Sequence, residues 1–488
     1  MSFPKELNLS SNRPMAAAGK PSINRYRSDN SSYQAGDVIR IEIPCGRNGQ
    51  YLFPMDCFIE GRIKANVTIT ASTGSGLVNG LLTIDQSVYA LFNRMRILHG
   101  SNVIEDCLYT NRLWTCLYDL QINETERRGD TITKLVNDNT SSASSQATGG
   151  QLYNNGLTGT TFKYSNTAVT NSDTALFDFS FVLPSAVLGS LCSKAIPLGL
   201  MGASSLYLEL ELAPVNVAFV SCVPQGGTAN GTFTTNSYTI QDIYYNAKIT
   251  TLPDDVNSLI LESTGGIINI PAISYKAEMK SIPATASAYN DKFSFQYSSL
   301  KTFLFWFTAS TTAIGDITKR SISSRPKCFL TDYFLLINGE AYPSQSIGYG
   351  STAVITSSGN SARMYAETLR AFNYLTDVNA GGILTYYNYT YDNPTQNETL
   401  GTITASDPGT IPIQKRFLAA IDLDRFNRSS NVLMCGTSSI GQMVNLNLGF
   451  SQACGTVTGQ TAVGVNLYAT VMYDVLYHIE NGQMLAKF

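Results

Sequence analysis

The sequence predicts an all-β protein with a few inserted helices, built as two tandem eight-stranded jelly rolls. Three observations carry that prediction. The chain has 488 residues, more than the roughly 250–300 that one hydrophobic core serves. Period-two alternation of apolar and polar residues dominates it. Its segments also recur in order at nearly constant spacing.

The alternating stretches are DVIRIEI (37–43), RIKANVTITAS (62–72), FDFSFVL (177–183), LYLELEL (206–212), KTFLFWF (301–307), YFLLING (333–339), VNLNLGF (444–450) and NLYATVMYDVLYHI (466–479). Successive side chains of a strand point to opposite faces, so such patterns read as half-buried strands. Clusters of Gly, Asn, Ser and Pro separate them, as turns require. Two segments carry helical spacing instead. In 104–122, Leu113, Trp114, Leu117, Leu120 and Gln121 gather at helical spacing; in 361–377, Tyr365, Leu369 and Phe372 do the same. Each half thus holds about eight strands and one substantial helix. Eight antiparallel strands in two sheets is the jelly-roll count.

The repeats fix the duplication. IQDIYYNAKI (240–249) and MYDVLYHIEN (472–481) place Asp242 and Tyr245 against Asp474 and Tyr477, 232 residues apart. Pro44 and Pro283 close two Ile-Pro strand ends 239 apart, and Gly100 and Gly339 mark two turns 239 apart. FSFVL (179–183) and AAIDL (419–423) differ by 240, and LYLELEL and VNLNLGF by 238. The predicted organisation is a flexible N-terminal arm over 1–35, a first roll over 36–250 and a second over 251–488. The arm has a net charge of +3 from Lys5, Arg13, Lys20, Arg25 and Arg27 against Glu6 and Asp29. Two long polar loops, 137–173 and 377–412, occupy corresponding places.

Composition narrows the function. Charged residues are 14% of the chain, against roughly 25% in typical soluble domains. A charge-poor surface costs less to desolvate and suits a chain that buries itself against neighbours. The net charge of −3 provides no basic field for nucleic acid. Nine scattered cysteines without a C-x-x-C predict reduced thiols and an intracellular, non-secreted origin. No signal peptide is visible, and the apolar stretch 179–193 is too short to span a bilayer.

The sequence predicts no catalytic, cofactor-binding or metal-binding residues and no cofactor. It has two histidines, His99 and His478. No nucleophile elbow, phosphate-binding loop or H-E-x-x-H occurs, and GSGLVNG (74–80) has the wrong glycine spacing for a dinucleotide site. The alternative is a carbohydrate-binding or glycan-cleaving β-sandwich, with Asp422 and Asp424 as paired carboxylates and Tyr387 within an aromatic run. A surface ion pair with Arg416 and Arg425 is the plainer reading of those aspartates. A third reading, two unlike sandwiches, conflicts with the constant repeat spacing.

Three stretches resemble a known family: NRMRILHGSNVIEDCLYTNRLWTCLYDLQ (93–121), FVLPSAVLGSLCSKAIPLGLMGASSLYLELEL (181–212) and YDVLYHIENGQM (473–484). The chain resembles the double jelly-roll major capsid proteins of double-stranded DNA viruses, the group with adenovirus hexon-like, virophage and Polinton-like virus capsids. The resemblance implies a virion protein in which three chains form a homotrimer with six rolls and a pseudo-hexameric outline. Such a capsomer tiles an icosahedral shell around a DNA genome. It also implies trimer–trimer contacts, penton and minor capsid partners, an inward arm near a membrane or the genome, and no sequence-specific nucleic-acid binding.

Overall fold

The computed structural model describes residues 19–71, 78–85, 87–121, 161–166, 177–222, 231–309, 322–348, 362–372, 389, 416–425, 435–456 and 462–488. The loops expected over 137–173 and 377–412 lie outside these residues, apart from a strand at Thr161–Asn166 and the single residue Tyr389.

Eight strands build the first half: β1 (Lys20–Arg27), β2 (Val38–Ile43), β3 (Phe58–Ala71), β4 (Phe92–His99), β5 (Asn102–Leu108), β6 (Phe177–Phe181), β7 (Leu206–Leu212) and β8 (Gly231–Thr251). Eight more build the second: β9 (Ile268–Ile282), β10 (Ala288–Phe293), β11 (Leu300–Ala309), β12 (Leu330–Ile337), β13 (Glu340–Gly348), β14 (Ala419–Asp422), β15 (Val444–Phe450) and β16 (Val465–Glu480). A last strand, β17 (Gln483–Lys487), folds back on β16.

The sheet orders of the two halves match strand for strand. One sheet of the first half runs β1-β8-β3-β6, and its counterpart runs β9-β16-β11-β14. The other runs β2-β7-β4-β5, against β10-β15-β12-β13. All of these pairings are antiparallel. Short strands at Ser32–Gln34, Gln50–Leu52 and Ile196–Pro197 extend the first sheet, and three others form a small separate sheet. The alternation is what places the cores. In β7, Leu206, Leu208, Leu210 and Leu212 point inward; in β15, Val444, Leu446, Leu448 and Phe450 do so.

The fold corrects three expectations. Residues 20–34 are not a free arm, because β1 pairs with β8 from Lys20↔Thr251 to Arg27↔Tyr244 and Ser32–Gln34 continues along β8. Its sequence KPSINRYR is mostly exposed, so main-chain pairing holds it and no apolar rhythm reveals it. For the same reason the match of 38–44 with 276–283 is out of register. Val38–Ile43 is β2, whose counterpart is β10, while 276–282 lies in β9, the counterpart of β1. The other paired echoes fall on true counterparts. Finally, the helix expected from 104 starts at Thr110: residues up to Leu108 are strand, and Tyr109 turns the chain with φ of 55°.

Three helices matter here: α1 (Thr110–Gln121) follows β5, α2 (Asp254–Thr264) links the halves, and α3 (Ala362–Ala371) follows β13. Asp254 and Asp255 sit in the first turn of α2, favourable against the helix dipole, and Gly265 ends it in the left-handed region.

Candidate functional site: the seam between the rolls

Helix α1 is where the halves meet. Every residue from Asn111 to Leu120 is buried, including Arg112 and Asp119 in a helix otherwise short of charge. One side of the helix packs on its own roll, with Trp114 edge-on to Tyr89 at 5.7 Å. The other reaches the second roll, where the Arg112 guanidinium lies 4.6 Å from the centre of the Tyr468 ring. Tyr109 meets the same ring edge-on at 5.3 Å.

Asp119 carries the strongest link. Arg325 Nη2 donates to its Oδ2 at 2.5 Å, and Arg416 Nη1 donates to its Oδ1. Both arginines are 0% exposed. Nearby, Asp85 accepts from the Ile322 N–H at 2.8 Å, the Ser323 N–H at 3.2 Å and the Ser323 hydroxyl. Two carboxylates of the first roll therefore face two guanidinium groups of the second. Opposite charges paired by hydrogen bonds are the condition for keeping charge in a core.

Two further links cross the seam. Glu105 accepts from the Ser185 hydroxyl at 2.7 Å, the Ala186 N–H at 3.1 Å and the hydroxyl of Ser274, on β9, at 3.1 Å. Burial pushes its pKa up, and these hydrogen bonds only partly oppose that. His99 Nδ1 accepts from the Met484 N–H at 3.2 Å, so Nε2 holds the proton and donates to Met201 O at 2.9 Å and Ser204 O at 3.1 Å. The ring is thereby fixed in one neutral tautomer as a strut. Beside it, the turns at Gly202 and Gly482 touch: a Cβ on Gly202 would lie 3.0 Å from Gly482 O.

The linker is tied down as well. Tyr51 donates to Asn257 Oδ1 at 2.8 Å, Asn257 donates to Asn48 Oδ1 at 2.9 Å, and Asn48 donates to Asp254 Oδ1 at 3.1 Å. Burial pushes the Cys116 thiol up to about 12 and, against a backbone hydrogen bond, Cys45 to about 11, so both stay protonated at neutral pH.

Among the described residues, Asp422 and Asp424 of the carbohydrate reading form no comparable site. Tyr387 lies outside the described residues. Asp422 accepts from the Asp424 N–H at 3.0 Å, and Asp424 lies 3.7 Å from Lys301. The expected surface pair with Arg416 is not formed, because Arg416 is buried on Asp119. His478 contacts Asn269 at 2.8 Å and Glu480 at 3.0 Å, far from the role of His99. Sequence reasoning missed Asp85, Asp119 and Arg325. One signal was available: Asp119 sits in LWTCLYDLQ, where an isolated charge in an apolar helix calls for a buried partner.

The chain is two jelly rolls of identical strand order locked side by side. The fold is a double jelly roll. The chain is similar in fold to a chain of the Sputnik virophage, solved by cryo-EM at 3.5 Å, with a TM-score of 0.60 and 12% identity over 100% of this chain and 92% of that one. It is also similar to a chain of the PBCV-1 virus capsid, with a TM-score of 0.51 and 11% identity over 96% and 97%. The Faustovirus major capsid protein matches with a TM-score of 0.50 and 9% identity over 96% and 92%. No family model and no curated protein compared with the chain matches it.

Proposed function

We propose that this chain is a major capsid protein: a structural, non-catalytic subunit whose homotrimers form pseudo-hexameric capsomers of an icosahedral shell around a DNA genome. The observation that carries this is the seam. Two copies of one fold are held together by buried ion pairs, in an arrangement that matches chains of viral capsids over nearly their whole length. A duplicated roll has a geometric use in such a shell. Three chains supply six rolls, so a threefold oligomer fills a lattice site with six neighbours.

The rolls act as the two domains, over 36–250 and 251–488, with β1 added to the first. The chain works in the virion after synthesis inside the host cell. Penton and minor capsid proteins are its further partners, with a membrane or the genome as the partner of the N-terminal arm. Native mass by light scattering after size exclusion tests the reading. A species near three times 53.0 kDa supports it; a strict monomer at high concentration overturns it.

A further inference from the structure

The last hairpin meets the first roll at one polar point. Among the described residues β17 pairs with β16 alone, so N–H groups on its outer edge need partners elsewhere. The Met484 N–H finds His99 Nδ1, at the end of β4, at 3.2 Å. A backbone N–H can only donate and a carbonyl can only accept. Nδ1 therefore stays unprotonated, while the Nε2 proton is directed at Met201 O and Ser204 O. All three contacts are to main chain, and the residue is 3% exposed.

We infer that His99 is an acid-sensitive latch: a second proton on its ring, at Nδ1, releases the β16-β17 hairpin from the first roll and loosens the seam at that end. The latch belongs to the single chain and does not depend on the capsid reading.

The added proton sits on the atom that accepts from Met484, so two N–H donors then point at each other. Among the described residues no carboxylate touches the ring to stabilise its charge. The ionisable groups on the elements around it are engaged elsewhere or exposed. On β4, Arg96 pairs with Glu209. On β7, Tyr207 lies under the Arg40 guanidinium. On β5, Glu105 is held by Ser185, Ala186 and Ser274. On β16, Glu480 contacts His478, and Lys487 of β17 is exposed. The Cys45 thiol donates to Ile43 O at 3.6 Å. Gly202 and Gly482, which touch beside the ring, bring no side chain to hold the hairpin once the hydrogen bond is lost. The far end of β17 is pinned separately, with Phe488 edge-on to Tyr297 at 5.5 Å and to Tyr473 at 5.8 Å. Release is therefore local to the turn. A solvated imidazole titrates near pH 6.5, so the freed ring takes its proton in mild acid.

Met484 reports the latch, because its side chain is 0% exposed while Met279 is 37% exposed. A thioether does not titrate, so its oxidation by hydrogen peroxide, located by peptide mass spectrometry, measures access. In the wild type, Met484 oxidation is expected to speed up as pH falls from about 7.5 to about 5.5, by at most about tenfold per pH unit, the limit for one linked proton. Met279 is expected to keep its rate. His99→Gln carries no titrating ring, and its Met484 rate is expected to be the same at both pH values. His478→Gln covers the case in which that variant does not fold. The chain has two histidines, so an acid rise that survives in His478→Gln belongs to His99. Glu105 does not mimic it, since burial raises its pKa and protonating it tightens the fold. A wild-type rate that is flat with pH overturns the latch. So does an acid rise that persists in His99→Gln or disappears in His478→Gln.

Discussion

The two rolls share a strand order but differ in what they do with the outer face of one sheet. In the second roll, β11 and β16 are buried on both faces. Phe303, Phe305 and Phe307 fill the core, while Trp306 on the opposite face is 1% exposed and its paired neighbour Tyr468 is 3% exposed. In the first roll, the same outer face shows Arg62 and Asp178, with side chains 52% and 83% exposed. Core alternation sets the strand order, whereas the other face of each strand is free to become seam or surface. The closing strands show the same divergence in one residue. Asp474 accepts from the Ser299 hydroxyl at 2.6 Å and is 5% exposed. Asp242 sits in a bulge with φ of 49°, and its side chain is 43% exposed.

The sharpest way to break the comparison is to unbalance the buried face. Asp119→Ala leaves Arg325 and Arg416 in the core without their carboxylate, an expected loss of about 3–5 kcal/mol. A fall in the urea midpoint measures it. Replacing all three by Asp119→Leu, Arg325→Met and Arg416→Met is expected to recover most of that stability, because an apolar cluster of similar volume avoids the desolvation cost. Next in size is Asp474→Ala. It removes a buried acceptor from the Ser299 hydroxyl and from Lys301, which lies 3.5 Å away. The expected loss is about 1–3 kcal/mol, read in the same denaturation series.

These residues also mark how far the fold was legible in the sequence. The strands of the cores were readable because their alternation is strict, as in LYLELEL. Strand β1 was not, since KPSINRYR buries almost nothing and is held by the backbone of β8. The seam was legible only as a general poverty of charge. Asp119 and Arg416 are 297 residues apart in sequence, and a single chain carries no local signal for a pair that only tertiary packing creates. His99 was visible as a rare residue at a turn. Its role as a strut depends on Met484 in the last hairpin, which nothing around residue 99 announces.

Glu105 sharpens the comparison through pH. Burial raises its folded pKa above the unfolded value of about 4.3. The folded chain therefore binds that proton more tightly, and ionising Glu105 as pH rises through the folded pKa destabilises the fold. Glu105→Gln keeps the shape without the charge. The melting temperature of the variant minus that of the wild type is expected to be small near pH 4 and to widen toward neutrality. A gap that does not change with pH would refute the buried-charge account.

The smallest effect is expected at Asp242, the exposed counterpart. Its carboxylate lies 3.4 Å from Arg62, and exposed pairs of this kind contribute about 0–1 kcal/mol. Its backbone adds a second term, because a positive φ suits Gly, Asn or Asp better than Ala. Asp242→Ala is thus expected to lose about 1 kcal/mol, while Asp242→Gly loses less by relieving the backbone. If the glycine variant is the weaker one, the bulge is not what sets the cost.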